Sequence, residues 1–382
     1  VPLSSAKRAW IVIAVVLLCL IAAGVAYYFW QAGPLPPIVS TLPGVPAAGP
    51  PPDILSQLPA DAPVVAYIDA GNLRTLQNSP LAAALGLASP GPQADRDYAN
   101  FVSGTGFDYT RDLDHAAVAL WPASFGTPDN VLGEDRVLAI ADGRFDQQKI
   151  KAYALRTGKE IAAGPQPVYD VPGNPPVTFT FLSPTRIALA SGRNSTELLA
   201  RVSPNASSAA SRGPAMQSRI QRVAGAPVFA VARSDRLPQS IYAPLHNSPQ
   251  LEQIARSVQA ITLAGQPDRD NLKVTLDAEC DSMKNAVQLA FLLETGKMAG
   301  SMALSDPRTR QQMTRDQYVF LQALINHAAI NHQNKIVRIT WQIAPDMLAP
   351  APPPKSAASR APAPATPPAA VPPPAAYPHT SQ

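Results

Sequence analysis

Hydrophobic and polar positions alternate along residues 271–279, NLKVTLDAE: Leu272, Val274, Leu276 and Ala278 fall on one side, Lys273, Thr275, Asp277 and Glu279 on the other. A period of two is that of a β-strand with one dry and one wetted face, which favours an antiparallel or mixed α+β fold over a doubly wound one. Further strands are expected at APVVAYIDA (62–70), HAAVALW (115–121), DRVLAIA (135–141), APVFAVARS (226–234) and KIVRITWQIA (335–344). VTFTFL and RIALAS, separated by Ser183-Pro184-Thr185, form a hairpin pattern.

Other stretches repeat at helical spacing. DQQKIKAYALRTG (146–158) places Ile150, Tyr153, Ala154 and Thr157 on one face behind a capping residue, Asp146. Residues 281–296 place Met283, Ala286, Val287, Ala290 and Phe291 on one face behind Asp281. DRDYANFVSGTG, STELLARV and RDQYVFLQALINHAAI read as further helices, as do shorter patterns around LRTL and SPLAAALGL.

Several of these segments recur in order. APVVAYIDA parallels APVFAVARS, NSPLAAALG (78–86) parallels NSPQLEQIA (247–255), and DRVLAIADGRFDQQKIKAYALRTGK parallels DNLKVTLDAECDSMKNAVQLAFLLETGK. The pattern predicts an ectodomain of two similar halves, 53–225 and 226–348, with antiparallel or mixed sheets packed by helices. Each half contains a Gly-Lys pair, at 158–159 and 296–297, that looks like the end of a phosphate loop. Such a loop needs an earlier glycine, a following Ser or Thr, and a helix that starts there. Both pairs instead follow a helix and lack those residues, so they are expected to be helix stops, with glycine at the left-handed position and lysine at the negative helix end.

The ends of the chain differ from this core. Residues 9–30, AWIVIAVVLLCLIAAGVAYYFW, carry no charge and would rise about 33 Å as a helix, enough to cross a hydrocarbon core of about 30 Å. Lys7 and Arg8 precede the segment, and Tyr27, Tyr28 and Trp30 close it. The positive-inside bias then leaves 1–8 as a cytoplasmic tip and puts the rest in the periplasm or outside the cell. A cleaved signal peptide ending near Gly24-Val25-Ala26 is the competing reading, though the apolar run exceeds a usual h-region. Residues 31–52 are a Pro-rich linker whose run from 33 to 52 extends up to about 60 Å as polyproline II. Residues 349–382 are mostly Pro and Ala and are expected to be disordered.

Charge removes one class of partner. The net charge is +4, but of 31 basic residues Lys7, Arg8, Lys355 and Arg360 lie outside 53–348, leaving 27 there against all 27 acidic residues. A formally neutral body gives no general electrostatic case for nucleic acid. Cys280 is the only cysteine after residue 19, so the body carries no internal disulfide.

Candidate chemistry is sparse. Asp108, Asp112, Asp114 and His115 form the best metal-ligating cluster, though GFDYTRDLDH also suits capping and turn roles. His327 and His332 lack the spacing of a zinc helix, and PDRDN (267–271) reads as a hairpin turn rather than a calcium loop. No G-x-S-x-G elbow occurs; Ser191 and Ser195 with His115 are the only serine arrangement to weigh, and SGTG (103–106) is a glycine turn without the third glycine of a dinucleotide site. No catalytic, cofactor-binding or metal residue is assigned.

The stretches ILSQLPADAPVVAYIDAGNLR, FVSGTGFDYTRDLDHAAVAL and KIVRITWQIAPDML resemble a loose set of bacterial, acidobacterial-type single-span extracytoplasmic proteins. The resemblance implies location and fold style and carries no catalytic residue. The expectation is a single-pass, membrane-anchored binding or scaffolding protein of the cell envelope, held to the bilayer through 9–30 and partnered by an envelope protein or wall component. The alternative is an envelope hydrolase with a site near 103–115 or 191–196.

Overall fold

The computed structural model describes residues 52–75, 96–122, 136–161, 166–173, 176–192, 194–202, 213–237, 242, 249–268, 271–311 and 315–343. The span expected at 9–30, the linker at 31–52 up to residue 51, the SPLAAALGL pattern and the tail at 349–382 lie outside these residues. All described residues belong to one compact unit within Val1–Leu348.

The fold is α+β, and its sheet is single, continuous and antiparallel, where the repeated pattern had suggested separate sheets. Its strands are β1 (Val64–Asp69), β2 (Leu113–Trp121), β3 (Arg136–Gly143), β4 (Lys159–Ile161), β5 (Val168–Val171), β6 (Val177–Ser183), β7 (Arg186–Ser191), β8 (Val228–Arg233), β9 (Val258–Asp268), β10 (Asn271–Cys280), β11 (Ala329–Gln333) and β12 (Ile336–Ile343). They lie in the order β11-β12-β10-β9-β8-β1-β2-β3-β7-β6-β5-β4. From the β8–β1 junction outward, one side runs β1-β2-β3-β7-β6-β5-β4 and the other β8-β9-β10-β12-β11.

The junction has a particular register. Val64 faces Ala232, Ala66 faces Ala230 and Ile68 faces Val228. In the parallel segments APVVAYIDA and APVFAVARS, Ala66 and Ala230 hold the same position, so they face each other across a local two-fold axis. Two backbone bonds close the ladder reciprocally: Asp69 N–H donates to Pro227 C=O and Arg233 N–H donates to Pro63 C=O.

The described helices are α1 (Ala70–Thr75), α2 (Arg96–Thr105), α3 (Tyr109–Asp112), α4 (Gln147–Thr157), α5 (Ser195–Ala200), α6 (Pro214–Val223), α7 (Pro249–Ser257), α8 (Met283–Ser305), α9 (Pro307–Gln311) and α10 (Arg315–Asn326). On one sheet face, Val65, Tyr67, Leu138, Ile140, Phe229 and Val231 are buried under Ile54, Leu55 and Leu58 of an N-terminal 3-10 turn, Leu198 and Leu199 of α5, and Met216 and Ile220 of α6. On the other face, α4 buries Ile150 and Ala154 against Ala141, Tyr169, Phe179 and Ile187. Farther along that face, Ala286 and Ala290 of α8 pack on Val258, Ala278 and Val337, and Leu324 of α10 packs near Ile339 and Trp341.

Asp146 caps α4 as expected, accepting from Lys149 N–H at 3.1 Å. Gly158 ends that helix for a different reason from the one its sequence suggested. Its φ is −143°, not left-handed, but an added Cβ would lie 1.9 Å from the Asp170 carbonyl oxygen, so only glycine lets β5 approach. The second Gly-Lys is not a helix stop. Ser282 rather than Asp281 caps α8, accepting from Asn285 N–H at 3.2 Å, and the helix runs through buried Gly296 to Ser305. Lys297 donates to the carbonyl of Ala328 just before β11, and Lys159 opens β4 with its ammonium 3.8 Å from Asp170. The helix expected through Ile330 stops at Asn326, and Ala329 and Ile330 begin edge strand β11.

The polar side of β10 is also drier than its alternation implied. Asp277 faces Arg338 across β10 and β12, and the guanidinium binds both carboxylate oxygens at 2.7 Å with side chains 7% and 10% exposed. Asp142, at the matching position of DRVLAIAD, faces Arg186 across β3 and β7 with contacts of 2.5 and 2.6 Å. Next along β10, Glu279 takes both Arg219 and Arg222 from α6 at 2.8–3.1 Å.

Hydrogen bonds from Arg219, then from Arg222, together outweigh burial and lower the Glu279 pKa from 4.5 to about 2. A depressed carboxylate contributes stability that is complete above its unfolded value and is lost as pH falls toward the folded one. Urea midpoints are therefore expected to fall between about pH 4.5 and 2, with Glu279→Gln flattening that part of the profile. An identical acid slope in the variant would contradict this assignment.

Cys280 is fully buried, and burial pushes its thiol pKa up. It is thus a small core residue, and Cys280 in a Cys19→Ser chain is expected to resist maleimide until urea unfolds it. Fast labelling in native buffer would show that the β10 end opens locally.

Candidate functional site

The structure disperses the acidic cluster of 108–115. Asp108 caps α3, accepting from Thr110 N–H at 2.9 Å, and Asp112 accepts from Asp108 N–H and pairs with Arg111 and Arg144. Asp114 pairs with Arg74 of α1 at 2.7 Å. The Arg111 guanidinium bonded to Asp112 is the main reason that carboxyl titrates low. Each acid is engaged by a local cap or cation, the capping and turn chemistry that the alternative reading named.

His115 turns elsewhere. Asp69, His115, Asp142 and Arg186 stand opposite one another across β1, β2, β3 and β7, forming a polar row on the face that carries the N-terminal turn. The Tyr67 hydroxyl and His115 Nδ1 are hydrogen-bonded at 3.0 Å, and Asp69 Oδ1 lies 3.6 Å from the same nitrogen. Burial, followed by the charges of Asp69, Asp142 and Asp53, raises the Tyr67 pKa and keeps the phenol protonated. Ser191 lies five residues along β7 from Arg186, about 17 Å at strand rise, and its hydroxyl donates to Pro176 C=O at 3.0 Å. The strands therefore hold His115 and Ser191 apart, and the geometry does not assemble the serine arrangement weighed from sequence.

The remaining candidates are structural in their contacts. Ser195 opens α5, and residues 103–105 end α2, where Gly104 packs beneath Tyr153 and Gly106, at φ +74°, closes the turn. Asp268 and Asn271 pair at the β9–β10 turn. His327 follows α10 and His332 lies on β11. Among the described residues, no group of three or more His, Cys, Asp or Glu side chains is placed to hold a metal.

Apolar surface offers a clearer feature. At the two-fold axis, Val118, Ala66, Ala230 and Leu263 stand in one row across β2, β1, β8 and β9. The small side chains leave an open apolar trough of about 300 Å³, and Leu263 is 41% exposed there.

Helix α8 carries the larger exposed patch. Met283, Val287, Phe291, Met298 and Met302 are 40–63% exposed and recur at helical spacing along its outer side, while Ala286 and Ala290 face the sheet. At 23 residues the helix is about 34 Å long. The face assigned to it from sequence is therefore split: the alanine edge is buried and the large residues point to solvent. Nothing in the spacing alone chooses between those edges, because both are apolar. Glu294 falls on the same side between Phe291 and Met298, so the large apolar side chains form two exposed groups, 283–291 and 298–302, of the kind that marks an interaction surface. No helix among the described residues is long and apolar enough to cross a membrane.

No protein-family model matches the sequence, and no curated protein matches it. Among solved structures the chain is similar to crystal form III of TP0453, with a TM-score of 0.41 and 12% identity over 79% of this chain and 97% of that one. Crystal form IV of TP0453 gives 0.40 and 13% identity over 77% and 94% of the two chains.

Proposed function

We propose that this chain is a non-catalytic binding or scaffolding protein of the bacterial cell envelope, anchored through residues 9–30 with its body outside the cytoplasm, and that α8 docks another protein. The observation that carries this reading is the exposed stripe from Met283 to Met302. Methionine is adaptable and suits a surface that must mould to a partner. A helix that lies on anionic lipid concentrates Lys and Arg along its polar face, whereas α8 has only Lys284 and Lys297, and Lys297 is engaged with Ala328 C=O. That composition favours a protein partner over a bilayer surface.

The body is further proposed to be an internal duplication of 53–225 and 226–348. The supporting features are the order of strands about β1 and β8, the facing of Ala66 and Ala230, and the matched Asp142–Arg186 and Asp277–Arg338 pairs. A strand edge that would otherwise template aggregation is covered in each half by the other.

A photo-crosslinking amino acid at Met298 of the full chain, expressed in its native cells, is expected to capture a discrete protein. The same group at exposed Lys149 on α4 is expected to capture none. Equal capture at both positions, or adducts to lipid alone at Met298, would overturn the docking assignment. Topology is read separately from Ser301→Cys, an exposed position on α8, which an impermeant maleimide should reach without permeabilising the inner membrane. Protection of that cysteine would sink the proposed orientation.

A further inference from the structure

A second cavity, of about 500 Å³, opens where β8 leaves the sheet and β9 begins, between the start of α6 and the end of α7. Met216, Tyr242 and Val258 supply buried apolar lining, all 3–8% exposed. Arg219, Arg233 and Arg256 bring three guanidiniums to the same space.

Each arginine is held by a carboxylate on one edge. Arg219 uses Nε and Nη2 on Glu279, Arg233 uses the same two atoms on Asp235, and Arg256 uses them on Glu252. Arg256 also lies 4.8 Å over the Tyr242 ring. Pinning the Nε–Nη2 edge fixes the plane of a guanidinium before any ligand arrives. In Arg219 and Arg233 the Nη1 group donates no bond among the described residues. The Asp235 carboxylate on the rim is drawn to Arg233 and Arg236, which lower its pKa and offset its charge.

Three further donors belong to residues that line the same cavity. Gly213 precedes the ten-residue α6 and has no side chain to cap it, while Pro214 has no N–H, so the amides of Ala215 and Met216 lack a side-chain cap at the cavity wall. Ser234 lines the same cavity, is 8% exposed, and its hydroxyl makes no hydrogen bond among the described residues. Its oxygen is not closed off from solvent, so it is open to a hydrogen bond from a ligand in the cavity.

We propose that this cavity binds a phosphate monoester carried on a compact apolar body. The Nη1 groups of Arg219 and Arg233, two helix-start amides and a serine hydroxyl exceed what the two oxygens of a carboxylate can accept, and suit the three free oxygens of a phosphate ester, with Arg256 adding its charge. The Met216, Tyr242 and Val258 surface receives the apolar part. The site is separate from the α8 stripe, and neither assignment depends on the other.

The test uses the full chain in phosphatidylcholine nanodiscs, titrated with phenyl phosphate by calorimetry. Saturable one-to-one binding is expected, tighter than that of inorganic phosphate, which leaves the apolar lining unused. Arg233→Gln is expected to weaken it about 10-fold or more and Ser234→Ala about fivefold, with the thermal midpoint of the Ser234 variant unchanged. Weaker phenyl phosphate binding in discs containing phosphatidic acid, whose headgroup is itself a phosphate monoester, would identify a lipid headgroup as the natural source; equal affinity would identify a free ester. Absence of saturable binding, or an affinity unmoved in both variants, would overturn the site.

Discussion

Asp277→Ala is expected to destabilise the body by about 3–5 kcal/mol in urea unfolding, because it leaves the Arg338 guanidinium buried without its counter-ion. The pair is 7% and 10% exposed, so water cannot replace the lost carboxylate. Arg338→Leu alone should cost a similar amount by stranding Asp277. The double variant Asp277→Val with Arg338→Leu removes both charges, and its loss should fall well short of the sum of the singles. Coupling of this size separates a desolvated ion pair from an exposed one, which contributes at most about 1 kcal/mol. Strictly additive losses would mean that each residue acts through other neighbours. The Asp142–Arg186 pair, 18% and 17% exposed, should behave in the same direction with a smaller effect.

Charge placed on the outer side of α8 gives the second large effect. Phe291→Asp is expected to reduce crosslinked partner capture from Met298 by 10-fold or more, since a carboxylate at the centre of an apolar interface must be desolvated without a partner. Stability should move by less than about 0.5–1 kcal/mol, because Phe291 is 47% exposed in the free chain. A large fall in the unfolding midpoint would place Phe291 in the fold rather than at an interface. Unchanged capture in a stable variant would remove α8 from the docking surface.

Parts of this arrangement were legible from residue spacing. The β6–β7 hairpin around Ser183-Pro184-Thr185, the Asp146 cap of α4 and most strands follow from local pattern and turn chemistry. Helix α6 carried a usable signal, with Pro214 at its first position and Met216, Ile220 and Val223 at helical spacing. Edge strand β11, AINHQ, carries almost none: it is short and half polar, and it is a strand because β12 pairs with it. Gly296 shows the limit of a local stop signal, since packing of α8 against its neighbours carries the helix straight through it.

The residues of the proposed sites were less accessible to such reading. Arg219, Arg233 and Arg256 come from α6, the end of β8 and the end of α7, and only the fold brings them around one cavity. His115 was visible as chemistry, but its partners Tyr67 and Asp69 are set by the β1–β2 register.

Composition and periodicity alone determined that the chain has a strand-rich body with helices, a neutral charge balance between 53 and 348, and a matched order of segments in its two parts. These are sums and local preferences, which any reading of the residues recovers. The tertiary structure decided that the sheet is continuous, that β1 and β8 meet at Ala66 and Ala230, and that α8 turns its alanines inward and its methionines outward. Strand partners and helix rotation depend on contacts between residues far apart in the chain, and two apolar edges of one helix can be ranked only when the surface they pack against is known.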